Sequence, residues 1–185
     1  AQESAYPDWA DKSGAMGVGV NSTLGGVTGI NVRPYVTPIF GFSLTLGFGS
    51  LSAQDEDVGT TSESNITSIG LGAYGTYKLV DWQRGHVGGL VGLDVVSRGE
   101  KVVTAGLTDT DESALDVLAG LGLQGEYFPT QYLSLFASCG LRLDFLSEDA
   151  TTGSGAAETN IETTGLSIDL GSDLLGAAGF TVWFK

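Results

Sequence analysis

Phe40-Gly41-Phe42-Ser43-Leu44-Thr45-Leu46-Gly47-Phe48-Gly49 decides the fold, because bulky apolar residues hold every even position and Gly, Ser or Thr every odd one. A strand sends successive side chains to opposite faces, whereas a helix repeats about every 3.6 residues, so an unbroken period of two reads as strand. The rhythm continues on both sides of this stretch. Before it, residues 15–22 set Met16, Val18 and Val20 against Gly17, Gly19 and Asn21, and residues 27–35 set Ile30 and Val32 against Gly29, Asn31 and Arg33. After it, residues 65–79 set Ile69, Leu71 and Tyr77 against Gly70, Thr76 and Lys78, and residues 86–98 set Val91, Leu93 and Val95 against Gly92, Asp94 and Arg98. Residues 114–127 set Leu121 and Leu123 against Asp116, Gln124 and Glu126, and residues 131–146 set Leu141 and Leu143 against Arg142 and Asp144. The last and longest segment, 164–184, puts Leu166, Ile168, Phe180 and Val182 on even positions and Ser167, Asp169, Asp173 and Thr181 on odd ones. Eight strands are expected.

A length of 185 residues accommodates one domain of that size. The 29 glycines are spread through the apolar segments and Pro is held to 4, so this is not a linker composition. A formal charge of −14 with only 8 Lys and Arg excludes nucleic acid as a partner, since phosphate binding needs clustered cations. The single Cys139 excludes an internal disulfide and a cysteine-based zinc site. No apolar run reaches the roughly 18 to 20 residues that a membrane-spanning helix needs. The opening Ala1-Gln2-Glu3 reads as a mature end left by signal-peptide removal, which implies export. Connections 51–64, 99–113 and 147–163 are long and polar, whereas 34–38, 80–85 and 128–130 are short, so one end of the molecule is expected to carry the loops.

Alternation alone suits a soluble barrel and a membrane barrel equally, and side-chain size separates them. The polar face here is mostly Gly, Ser, Thr and Ala, which fits a narrow interior, while a water-facing wall would need many Lys and Glu. The bulky face suits lipid chains. Tyr35, Phe40, Tyr77, Trp82, Tyr127, Phe128, Tyr132, Trp183 and Phe184 flank the short turns or the chain end, as expected of an interfacial aromatic girdle. The competing reading of these aromatics is the core of a soluble β-sandwich. Across residues 14–185 the chain resembles the small bacterial outer-membrane barrels of the OmpA or OmpX type. The most family-like piece is Ala178-Gly179-Phe180-Thr181-Val182-Trp183-Phe184, because such barrels end in an alternating segment closing on an aromatic residue. Here Lys185 follows that residue, a departure from the family pattern. The resemblance implies an all-β, eight-stranded antiparallel up-and-down transmembrane β-barrel in the outer membrane, with residues 1–13 as a periplasmic tail. Its implied partners are outer-membrane lipids, lipopolysaccharide and, during biogenesis, the barrel assembly machinery.

The expected lumen charges are Arg33, Lys78, Asp94, Arg98, Asp116, Glu126, Arg142 and Asp144, with Asp169 and Asp173 beyond them. Glu126 should meet Lys78 and Arg33 near the turn end, and Arg142 and Arg98 the aspartates above, because an isolated charge in a narrow lumen is costly. A structural polar plug is the plainer reading and a narrow ion or small-solute pore the alternative. His86 opens a strand at the turn end, away from the long loops, which disfavours a lipid-modifying enzyme needing a histidine base near the other end. No enzymatic activity and no cofactor are expected. The long connections carry over half of the 22 acidic residues, which makes a solvated anionic surface suited to a protein partner. Asp55, Glu56, Asp57, Asp109 and Asp111 offer oxygen ligands for a divalent cation bridging to lipopolysaccharide phosphates, without the spacing of a calcium loop. The expected role is structural, or surface interaction through the acidic loops.

Overall fold

The alternating segments form antiparallel strands whose registers follow their own periodicity. In the computed structural model, residues 11–24, 26–57, 60–104, 110–152, 159–169 and 178–184 are described. They form β1 (Met16–Ser22), β2 (Thr28–Pro34), β3 (Phe40–Asp57), β4 (Thr60–Trp82), β5 (Gly85–Thr104), β6 (Thr110–Thr130), β7 (Leu133–Thr152), β8 (Thr159–Asp169) and β9 (Ala178–Phe184). Each of β1 to β6 pairs with its successor, β7 pairs with β8 and with β9, and β9 pairs with β1, so the antiparallel sheet closes into a ring.

One circuit of the ring can be followed residue by residue. Leu135 pairs with Phe180, then Val20, Ile30, Leu46, Leu71, Val95, Val117 and finally Phe145, back on β7 but ten residues further along. Every residue on this path is apolar, and every one is exposed. The opposite face is buried and carries Asn31, Arg33, Thr45, Thr76, Asp94, Asp116, Gln124, Glu126 and Thr181. The usual partition of a water-soluble protein is therefore inverted, with much of the polar chemistry inside and the bulky hydrocarbon outside.

Two expectations are corrected. The segments 51–64, 99–113 and 147–163 are largely paired strand: β3 and β4 stay in register out to Asp57↔Thr60, β5 and β6 to Val102↔Thr110, and β7 and β8 to Thr152↔Thr159. Their polarity suggests loop, but Thr, Val and Ile recur in them, and β-branched residues favour the pleated backbone. The final segment does not hold one register: β8 and β9 lie along the same side of β7 with an offset of four residues between them, so a circuit of the ring crosses eight strand positions. β8 pairs with Arg142–Thr152 on β7 and β9 with Leu133–Ala137, and residues 170–177 between them lie outside the described residues.

The turn end is tight: β4 and β5 are joined through Gln83 and Arg84, β6 and β7 through Gln131 and Tyr132, and the register slips once in each hairpin, at Lys78/Val80 and Tyr127/Thr130. At the opposite end the β1–β2 connection folds inward. Gly26 adopts φ 82°, a left-handed conformation that only glycine takes without strain, and its amide donates to Thr23 O at 2.9 Å. The Thr23 hydroxyl accepts from Val27 N at 3.1 Å, so this turn is held by its own residues while Leu24 and Val27 point into the ring.

Candidate functional site

The interior is built in layers, each supplied by inward positions of several strands. Nearest the short turns, Ala15, Tyr35, Phe128 and Trp183 form a buried cluster. Trp183 donates its indole N–H to Ser134 at 2.8 Å, and Lys12 reaches across to Gln131 O at 2.7 Å with its ammonium 4.8 Å from the Phe128 ring. Tyr35, Phe128 and Trp183 were expected in the aromatic girdle and are corrected here: they are inside. Their parity matches Arg33, Glu126 and Thr181 on the same strands, and parity overrides position along the strand. The other girdle candidates, Phe40, Tyr77, Trp82, Tyr127, Tyr132 and Phe184, lie exposed on the outer face near the turn end.

Above the aromatic cluster sits an ionic layer. Arg33 forks onto Glu126, Nη1 to Oε1 at 3.1 Å and Nη2 to Oε2 at 3.2 Å, and both side chains are almost fully enclosed. Such a two-pronged contact is the strongest geometry open to a guanidinium and a carboxylate. Arg33 also donates to Gln124 at 3.3 Å, which accepts from Thr76 at 3.1 Å, and the guanidinium lies 4.5 Å from the Phe136 ring. His86 Nε2 is 3.3 Å from Glu126 and shares a hydrogen bond of 2.9 Å with the Tyr35 hydroxyl. Lys78 stands 4.8 Å over the Tyr35 ring. His86 is fully buried between these groups, and beside this layer lies a cavity of ≈ 20 Å³ lined in part by Asn21, Asn31, Ser43 and Ser138. That is room for about one water molecule.

The third layer is apolar and had no counterpart in the sequence reading. Leu24 and Val27 from the β1–β2 connection pack against Tyr74, Leu90, Val96 and Leu118. Leu24 is pinned on both sides of its peptide: its N–H donates to Asp94, its carbonyl accepts from Arg142 at 3.0 Å, and Tyr74 donates to Asp94 at 2.7 Å. The signal for this layer was present in part. Tyr74, Leu90, Val96 and Leu118 all stand on even positions, which in the middle of these strands, from Ser68 to Lys78, Gly88 to Arg98 and Asp116 to Glu126, otherwise carry Gly and polar residues. The inward fold of Leu24 has no local signature, since its partners Tyr74, Asp94 and Arg142 are remote in sequence.

Above the plug the inner wall is anionic. Asp116 is paired with Arg98 at 3.1 Å. It lies opposite Leu146, which puts Asp144 and Glu148 at its two diagonals across β6 and β7, while Glu100 and Glu112 face one another directly across β5 and β6. Like charges in such positions repel, and Asp116 and Asp144 each keep one buried carboxylate oxygen without a hydrogen-bond partner among the described residues. Asp55, Glu56 and Asp57 belong to the paired end of β3, their side chains lie outside the described residues, and Asp109 and Asp173 lie outside them altogether. Asp111 is exposed on β6, paired in register with Lys101. Among the described residues, no group of three or more His, Cys, Asp or Glu side chains is placed to hold a metal ion. Cys139 is exposed on the outer face, as its parity requires.

No protein-family model matches the sequence, and no curated protein does so either. Among solved structures the chain is similar to a major outer membrane protein from Thermus thermophilus, with a TM-score of 0.54 and 15% identity, over 92% of this chain and 98% of that one. At that identity the likeness is one of fold.

Proposed function

We propose that this chain is an integral outer-membrane β-barrel of eight strands, without catalytic activity, that acts as a structural or surface-interaction protein through its acidic end. The observation that carries the reading is the exposed apolar circuit from Leu135 to Phe145, which would be insoluble as a water-facing surface and fits hydrocarbon. The ten-residue offset supports the same conclusion. A ring of eight strands with that stagger tilts its strands by about 40°, within the range of membrane barrels. A barrel of this size is just wide enough to be filled by side chains.

The three filled layers of the interior favour a structural role over conduction, and the enclosure of His86 between Tyr35 and Glu126 favours it over catalysis. In the outer membrane the tight-turn end faces the periplasm and the long paired hairpins project outward. Their anionic inner wall, with Glu100, Glu112, Asp144 and Glu148, suits a cationic partner. Cell fractionation with surface proteolysis tests location and orientation together: the chain should sediment with outer membranes, show heat-modifiable migration in detergent, and be cut only in the projecting hairpins. A detergent-free soluble monomer overturns the reading. Steady single-channel conductance in planar bilayers would overturn the plug.

A further inference from the structure

We propose that a single water molecule is a fixed part of the lumen, donating hydrogen bonds to the side-chain oxygens of Asn21 and Asn31 in the ≈ 20 Å³ cavity beside the ionic layer. Asn21 is 7% exposed and Asn31 is fully enclosed, and the Oδ1 of each accepts no hydrogen bond among the described residues. A buried acceptor is costly to leave unpaired, and nearly all such groups in folded proteins are satisfied by protein or by ordered water.

The strand register brings the two amides to one place. Asn21 stands opposite Gly29 and Asn31 opposite Gly19 across β1 and β2, so the asparagines are diagonal neighbours on the inward face. The glycines opposite give neither of them a side chain to bond. Asn31 commits its Nδ2 to Thr45 Oγ1 at 3.0 Å, which fixes the amide and leaves Oδ1 on its other edge.

The other lining groups decide what fits. The cavity has room for about one water, and a buried water takes about two to four polar partners. Its two hydrogens suit the two amide oxygens, and the hydroxyls of Ser43 and Ser138 line the same space for its lone pairs. A metal cation also seeks oxygen, but the Arg33 guanidinium is part of this lining and repels it. An anion would meet two carbonyl oxygens. Leu24, Tyr74 and Leu90 close the cavity on the side of the apolar layer. Leu24 is held there by Asp94 and Arg142, so the water exchanges when that layer opens.

Crystals of the full chain grown from a lipid phase and soaked in thallium(I) test the occupant. One peak should lie within about 3.2 Å of both oxygens, with no anomalous signal from thallium. A site without that peak, or one that takes up thallium, overturns the proposal. Oxygen-17 relaxation dispersion of water, measured on the chain in micelles, tests the confinement. The wild type should hold one more long-lived water than Asn21→Leu, and Leu24→Ala should shorten its residence at least roughly tenfold. Heat-modifiable migration of each variant reports folding. Equal numbers of long-lived waters in the wild type and Asn21→Leu, or an unchanged residence in Leu24→Ala, overturns it as well.

Discussion

Replacing Glu126 by Ala tests the ionic layer most sharply. Glu126 is 1% exposed and sits within 3.3 Å of both Arg33 and His86. Its removal leaves the Arg33 guanidinium enclosed, with Gln124 at 3.3 Å and Thr181 at 3.4 Å as its remaining polar contacts. Breaking a buried pair on one side costs about 3–5 kcal/mol, mostly from the stranded charge and not from the lost attraction. The Phe136 ring 4.5 Å from Arg33 offsets part of this, so the lower half of the range is expected. Arg98→Ala is the comparison. Arg98 is 45% exposed although Asp116 is buried, and the loss should stay near about 1 kcal/mol. The assay is urea unfolding in lipid vesicles, followed by the emission of Trp183 in a chain with Trp9 and Trp82 replaced by Phe. The double variant Arg33→Met with Glu126→Leu should recover most of the loss, with a coupling of at least about 1 kcal/mol. A loss below about 1 kcal/mol for Glu126→Ala, or equal losses for Glu126→Ala and Arg98→Ala, would refute a dry, tightly paired lumen.

The other predictions address the wall and the plug. Leu71→Arg, at the centre of the apolar circuit, should destabilise the vesicle-embedded chain by roughly 2–4 kcal/mol; an increase in stability or solubility would mean that this face meets water. Cys139 should react with a membrane-permeant maleimide in vesicles and resist a charged one, and the reverse preference would place it in the lumen. Gly92→Val should push its side chain into the Tyr74 ring, loosen the Tyr74 bond to Asp94 and cost about 1–3 kcal/mol by the unfolding assay. Gly99→Ala, with nothing within 4 Å of the added carbon, should stay within about 0.5 kcal/mol, and a comparable loss there would argue against the overpacking account.

Strand identity and facing were legible in the sequence because both follow from a period of two. Phe40 to Gly49 predicts which side of β3 each residue takes, and the same parity places Arg33 with Glu126 and leaves Cys139 outside. Errors arose where another cue was set above parity. Tyr35, Phe128 and Trp183 sit at strand ends, where aromatic residues suggest an interface, yet their parity puts them inside. Polar composition hid the strand extensions, since Thr60, Thr61 and Val102 are strand formers among acids and serines. The inward fold of Leu24 was illegible for a different reason: its stabilising contacts come from β4, β5 and β7, and no local pattern records them.

The pairing of β9 with both β1 and β7 has a kinetic consequence. Seven residues, Ala178–Phe184, form both seams of the ring, and one seam joins Val18 to Val182. Contacts so distant along the chain require most of the loop entropy to be lost before they form, so closure belongs late on the folding route. Until β9 docks, β1 and β7 both present unpaired backbone and the charged interior has no fourth wall. Insertion and closure must therefore proceed together, and a chain lacking β9 should stall as an open sheet prone to pairing with its neighbours.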